Sequence, residues 1–153
     1  MTQRDRSEAD GPHMTPDGVA AFLARPLIAR LATSEENHPR VLPMWFWWDG
    51  EDVWMETSPT FPNARVLRAN PYAALTIDES LGGFRLRAVV MRGKVEVIEQ
   101  PRARLMDVVQ RIYRRYLSEA ELASNEGDRI VQARHVLLRF HPTKQITWDT
   151  TKA

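Results

Sequence analysis

The chain has 153 residues, 43% of them apolar and 27% charged, a length and balance that suit one globular domain able to bury a core without disulfides or metal. Its formal net charge of +1 argues against a nucleic-acid binder or a partner for acidic tails. There are no cysteines, which excludes disulfides, thiolate metal sites and cysteine nucleophiles and fits a reducing cytoplasm.

No apolar run approaches the roughly 20 residues that a membrane span needs. Residues 1–14 lack the apolar centre of a signal peptide and are expected to form a flexible leader to a single domain, 15–153. Thr15-Pro16-Asp17 is a helix start: a capping hydroxyl, a first-turn proline and an acid near the positive helix end. Val19, Phe22 and Leu23 make its apolar stripe, and Pro26 stops it.

Residues 27–58 then read as three strands. Leu27 to Thr33 is apolar apart from Arg30, and Ser34 to Pro39 is a polar turn. Arg40 to Trp48 is rich in valine and aromatics. Asp49-Gly50 is a hairpin signal because glycine accepts positive φ, and Val53 to Thr57 returns antiparallel. Pro43 cannot donate a ladder hydrogen bond, so it marks an edge, a bulge or the approach of something other than a strand, such as a ligand.

Pro62 to Ala69 predicts a short helix with Ala64, Val66 and Leu67 inward and Arg65 and Arg68 outward. Tyr72 to Asp78 and the alternating Phe84 to Glu99 are strands, with Gly93 placed for a bend or bulge. Arg102 to Leu117 is the longest helix, its buried face carrying Leu105, Val108, Val109, Ile112, Tyr113 and Tyr116. Arg104, Arg111, Arg114 and Arg115 fall off that face, as a solvated surface or a phosphate patch. Ser118 to Asn125 opens with a capping-box pattern. His135 to Phe140 and Gln145 to Trp148 read as two strands broken at Pro142. The order describes an α+β chain of mainly antiparallel strands closed into a small barrel.

No phosphate loop, HExxH, GxSxG or paired metal-ligand spacing occurs. His13 and His38 fall in surface segments, and His135 and His141 lie six apart on one strand, so no metal site is expected. No side chain is nominated for nucleophilic or general-acid work, so any catalysis belongs to a bound cofactor. Trp45, Phe46, Trp47 and Trp48 are consecutive, two to each face, with Trp54 across the hairpin. One face is core. The other is costly to leave in water, at about 25 cal/mol per Å², and a second subunit or a flat cofactor would cover it.

Taken in order, residues 28–58, 63–78 and 87–99 resemble the pyridoxamine 5′-phosphate oxidase-like, flavin-binding split-barrel superfamily, in the style of its flavin/deazaflavin (F420) oxidoreductase branch. The resemblance implies a six-stranded split β-barrel with flanking helices, and an obligate homodimer with two cofactor sites at the subunit interface. It implies F420, or alternatively FMN, as cofactor, and hydride transfer to or from a small unsaturated substrate. The alternative is a carrier or sensor that holds a flavin-like or haem ligand without turnover. By position, the ring would lie against Leu42, Pro43, Met44 and Trp45. The phosphate end would be held by Thr57 and Ser58 and by Arg65, which otherwise reads as an exposed helix arginine. Asn63 stands where the family usually has a lysine. Arg65, Arg68, or Arg85 or Arg87 of a partner chain would make up the charge, and Arg87 is taken as the cofactor-binding partner arginine. Nucleic acid and membrane are not expected partners.

Overall fold

The computed structural model describes residues 12–152. The expected leader up to residue 11 lies outside them. Pro12, His13 and Met14 are docked: the Pro12 carbonyl accepts from the Asp149 amide at 2.7 Å, and the Met14 amide donates to Thr147 Oγ1 at 3.0 Å.

Helix α1 is Pro16–Leu23, capped by Thr15, whose hydroxyl accepts the Gly18 amide at 3.1 Å. Strands β1 (Ala29–Glu35) and β2 (His38–Met44) form a hairpin turned at Glu36 and Asn37, with φ of 48° and 65°. Only Trp45 separates β2 from β3 (Phe46–Trp48). The turn to β4 (Val53–Thr57) has Gly50 at φ 105°. Asp49 holds that turn, accepting the amides of Glu51 and Asp52 at 2.9 and 2.7 Å and the Trp54 indole N–H at 2.8 Å. Helix α2 is Asn63–Ala69, followed by β5 (Tyr72–Ser80), β6 (Leu86–Ile98) and helix α3 (Arg102–Tyr116).

All seven strands, including β7 (Val136–Asp149), form one antiparallel sheet in the order β2-β1-β5-β6-β7-β4-β3. The resemblance implies six strands; the chain-order reading has seven but divides them differently, since the ribbon breaks at Trp45 into β2 and β3 while the two strands expected at 135–148 run together as β7. The ribbon 38–48 supplies both edges of the sheet, so the sheet curls on itself and stays split where the ribbon passes from one edge to the other. Pro43 sits on edge strand β2, where a missing N–H costs no ladder bond.

The predicted stop at Pro142 does not occur. Strand β7 runs on because Gly93 pairs Pro142 while Arg92 pairs Lys144, a bulge that absorbs the missing donor. A Cβ on Gly93 would stand 1.9 Å from the His141 carbonyl oxygen.

Two apolar clusters follow from the strand alternation. Leu31, Phe46, Met55, Leu75, Ile77, Met91, Leu138 and Phe140 fill the barrel interior, closed by Val19, Phe22 and Leu23 of α1. Outside it, α3 lays Leu105, Val108, Val109, Ile112 and Tyr113 over Trp54 and Leu137. Each such side chain contributes about 1.5–3 kcal/mol relative to exposure. The aromatic ribbon obeys the expected alternation, with Phe46 and Trp48 against the interior and Trp47 beneath α3.

The arginines of α3 are more than a solvated face. Arg104 and Arg111 lie 5.5 and 5.1 Å over the rings of Trp54 and Trp47. Arg115 donates to the carbonyls of Leu23, Ala24 and Arg25, the end of α1. Two short helices follow: α4 (Glu119–Leu122), with the predicted Ser118–Glu121 capping box, and α5 (Asn125–Gln132), capped by Ser124. Sequence patterning missed α5. No helix among the described residues is long and apolar enough to cross a membrane.

Candidate functional site

A crevice of ≈ 820 Å³ opens at the split. Seven of the nine sequence-predicted positions line it: Leu42, Pro43, Met44 and Trp45 from the ribbon, and Thr57, Ser58 and Asn63 from the connection between β4 and α2. Arg65 and Arg87 do not. Arg65, at the first turn of α2, is ion-paired with Glu35, which also takes Arg40 at 3.1 Å. The hydrogen bond from Arg65 holds the Glu35 carboxyl below its usual range. Arg87 lies on β6, 3.5 Å from Glu79 and 3.8 Å from Asp149.

The end of α3 holds the ribbon. Tyr116, at the end of α3, donates its hydroxyl to the Leu27 carbonyl at 2.7 Å and accepts the Phe46 amide at 3.1 Å. Burial pushes its phenol pKa up, so it stays a donor. Trp45 stacks on the same ring and meets Tyr113 edge-on, with ring centroids 5.8 Å apart. Trp45 therefore stands as a fixed wall although it is 36% exposed. Asn63 is buried and donates to Thr57 Oγ1 at 3.4 Å.

Sequence reasoning missed the other wall. Glu56, Tyr113, His135, Arg40, Arg134 and Ile130 also line the crevice. Tyr113 donates its O–H to Glu56 Oε1 at 3.0 Å. His135 places Nδ1 2.9 Å from Glu56 Oε2 and Nε2 3.0 Å from the Ile130 carbonyl. Burial and the Glu56 charge push the Tyr113 phenol far up. The Glu56 hydrogen bond raises His135 above its ordinary value against the opposing effect of burial. These contacts join residues 57 and 79 positions apart, so no local motif announces them.

His141 is not joined to His135. It bonds Asp52, which also takes the Arg139 Nε–H at 2.8 Å. Among the described residues no cluster of three or more His, Asp or Glu side chains is placed to hold a metal.

Curled barrel, split edge and crevice together define a split β-barrel. The family model described as pyridoxamine 5′-phosphate oxidase matches residues 15–149, and the chain belongs to that family of the oxidoreductase-like superfamily. Among similar solved structures is the conserved hypothetical protein Rv2991 from Mycobacterium tuberculosis, 26% identical with a TM-score of 0.79, covering 94% of this chain and 89% of that one. An F420 reductase is 28% identical with a TM-score of 0.60, covering 82% and 93%. A FAD-binding protein from Mesorhizobium loti, 20% identical with a TM-score of 0.63 over 88% and 94%, shares the fold. No functionally curated protein matches the chain.

The donor set suits a phosphorylated, planar cofactor. Asn63 brings no charge, but two arginines, Arg40 and Arg134, line the crevice together with Thr57 and Ser58. The flat faces are Trp45 and Tyr113, and the apolar ones Leu42, Met44 and Phe61.

Proposed function

We propose that this protein is an oxidoreductase that binds F420, with FMN as the alternative, in the split-edge crevice, and that hydride passes between the cofactor and a small unsaturated substrate. One observation carries the reading: Leu42–Trp45 converge with Thr57, Ser58 and Asn63 on a single crevice. Similarity to an F420 reductase across most of the chain favours F420.

The bound ring supplies hydride chemistry that no side chain here provides. The protein's part is to bind, orient and exclude water. Trp45, locked on Tyr116, fixes one flat wall without an entropy cost on binding. Thr57, Ser58 and Asn63 offer hydrogen bonds, and Arg40 and Arg134 the charge that a phosphate needs. Arg65 joins them only by leaving Glu35.

The same reading makes the protein a homodimer. Val41 and Phe61 are 61% and 62% exposed, and Pro43 and Trp45 are also open to solvent. A second subunit would cover this strip and close the crevice.

Anaerobic titration of the purified protein with reduced F420 and with FMN, followed by fluorescence, tests the reading. Saturable binding of one of them, then cofactor oxidation with a quinone or enone panel, is the expected result. Saturation by neither removes it. Binding without turnover across the panel leaves a carrier.

A further inference from the structure

Glu56 projects from β4 into the wall of the crevice, with its side chain 22% exposed. It accepts the Tyr113 O–H on Oε1 and faces His135 Nδ1 on Oε2. The other His135 nitrogen faces a carbonyl, which can only accept, so Nε2 carries a hydrogen. With Glu56 accepting on both oxygens, Nδ1 carries one too, and the ring is then an imidazolium. The groups facing it are Glu56 from β4, Tyr113 from α3 and the Ile130 carbonyl from α5. Arg134 precedes it in the chain, and Glu99 and Arg102 line a smaller crevice that His135 also borders.

A carboxylate has about four acceptor positions, and two of Glu56's are used. The Tyr113 hydrogen is spent on Glu56, so its oxygen also turns only lone pairs outward. The Glu56–Tyr113 part of the wall therefore accepts hydrogen bonds and donates none, unlike the part that carries Arg40 and Arg134. It suits an N–H or O–H donor on the bound molecule rather than the phosphate. F420 and FMN both carry such a donor, the imide N–H at the polar edge of the ring.

We infer that Glu56, held in place by His135 and Tyr113, is a specificity-determining residue that accepts a hydrogen bond from the ring imide of the bound cofactor. This rests on the cofactor reading above.

Glu56→Gln tests it with the fold kept. A glutamine oxygen still accepts from Tyr113, and its amide donates to a neutral His135. Its second amide hydrogen then confronts the imide, donor against donor. F420 and FMN should bind E56Q about tenfold or more weakly than the wild type, the loss of a hydrogen bond to a charged group. The wild type should bind N3-methyl-FMN about tenfold more weakly than FMN, and E56Q should bind the two alike. Nitrogen-15 shifts of ligand-free protein should show His135 as imidazolium in the wild type and neutral in E56Q. Equal cofactor affinity in wild type and E56Q, no discrimination against the methylated flavin, or a neutral wild-type His135 would each overturn the inference alone. Failure of the wild type to bind either cofactor overturns it together with the cofactor reading.

Discussion

Trp45 lies flat on Tyr116, with ring centroids 4.7 Å apart and planes 3° from parallel. The pair joins the split edge of the barrel to the end of α3, so the same helix that covers the outer face of the sheet also fixes the wall of the crevice. Two substitutions separate these roles. Tyr116→Phe keeps the stack but leaves the Phe46 amide and the Leu27 carbonyl without the hydroxyl, and should cost about 1–3 kcal/mol in urea unfolding. Trp45→Ala removes a side chain that is already 36% exposed. It should shift stability less than Tyr116→Phe while weakening cofactor binding, as read by parallel denaturation and titration.

Arg115 gathers three carbonyls at the end of α1, two of them through one nitrogen, Nη2. Its guanidinium also lies 4.8 Å over the Phe46 ring. Arg115→Met removes these charged hydrogen bonds and should cost about 1.5–3 kcal/mol. Arg115→Lys should recover little, because one ammonium cannot reproduce the planar fork. Thermal melts of the two variants check this; full rescue by lysine would show that charge alone matters.

Gly93 answers to space. A Cβ there would collide with the backbone at His141, so Gly93→Ala must shift the bulge between β6 and β7. A loss of about 3 kcal/mol is expected, at the upper end for overpacking, measured by equilibrium unfolding. An unchanged midpoint would mean that the bulge moves freely.

The acidity of His135 gives a signed prediction. Its folded-state pKa is raised, chiefly by Glu56. A raised group contributes stability that is fully present below its unfolded value, about 6.5, and is lost as pH rises through the folded value. The stability difference between wild type and Glu56→Gln should therefore be largest near about pH 6 and shrink on the alkaline side. Urea midpoints across that range measure it; a difference independent of pH would contradict the imidazolium.

Much of the architecture was legible because it is written in local pattern. The stripe Val19, Phe22 and Leu23, the face of α3 and the Asp49-Gly50 turn all follow from spacing and φ. Helix α5 was not legible, since Asn125 and Gly127 are poor helix formers and Gly127 is required by the close approach of the Glu121 carbonyl. That omission hid Ile130 and Ala133, which form a lip of the crevice. Pro142 misled because a bulge opposite Gly93 excuses its missing donor. At the site, the ribbon and its turn to α2 were readable in order along the chain. The Glu56–His135 pair was not, because only the pairing of β4 with β7 brings the two together.

Arg40 tests where the phosphate sits. It lines the crevice and shares Glu35 with Arg65. Arg40→Ala should weaken the phosphorylated cofactor by about tenfold or more, the value of a hydrogen bond to a charged group, while leaving riboflavin, which lacks the phosphate, unaffected. Equal losses for FMN and riboflavin would place the phosphate elsewhere.

The most direct measurement is a crystal structure of the protein grown with F420 and, separately, with FMN. The account predicts a ring in van der Waals contact with Leu42, Pro43, Met44 and Trp45, with its phosphate among Ser58, Asn63 and Arg40. A ring bound away from the split edge, or a crevice filled by the protein's own side chains in both crystals, would contradict it.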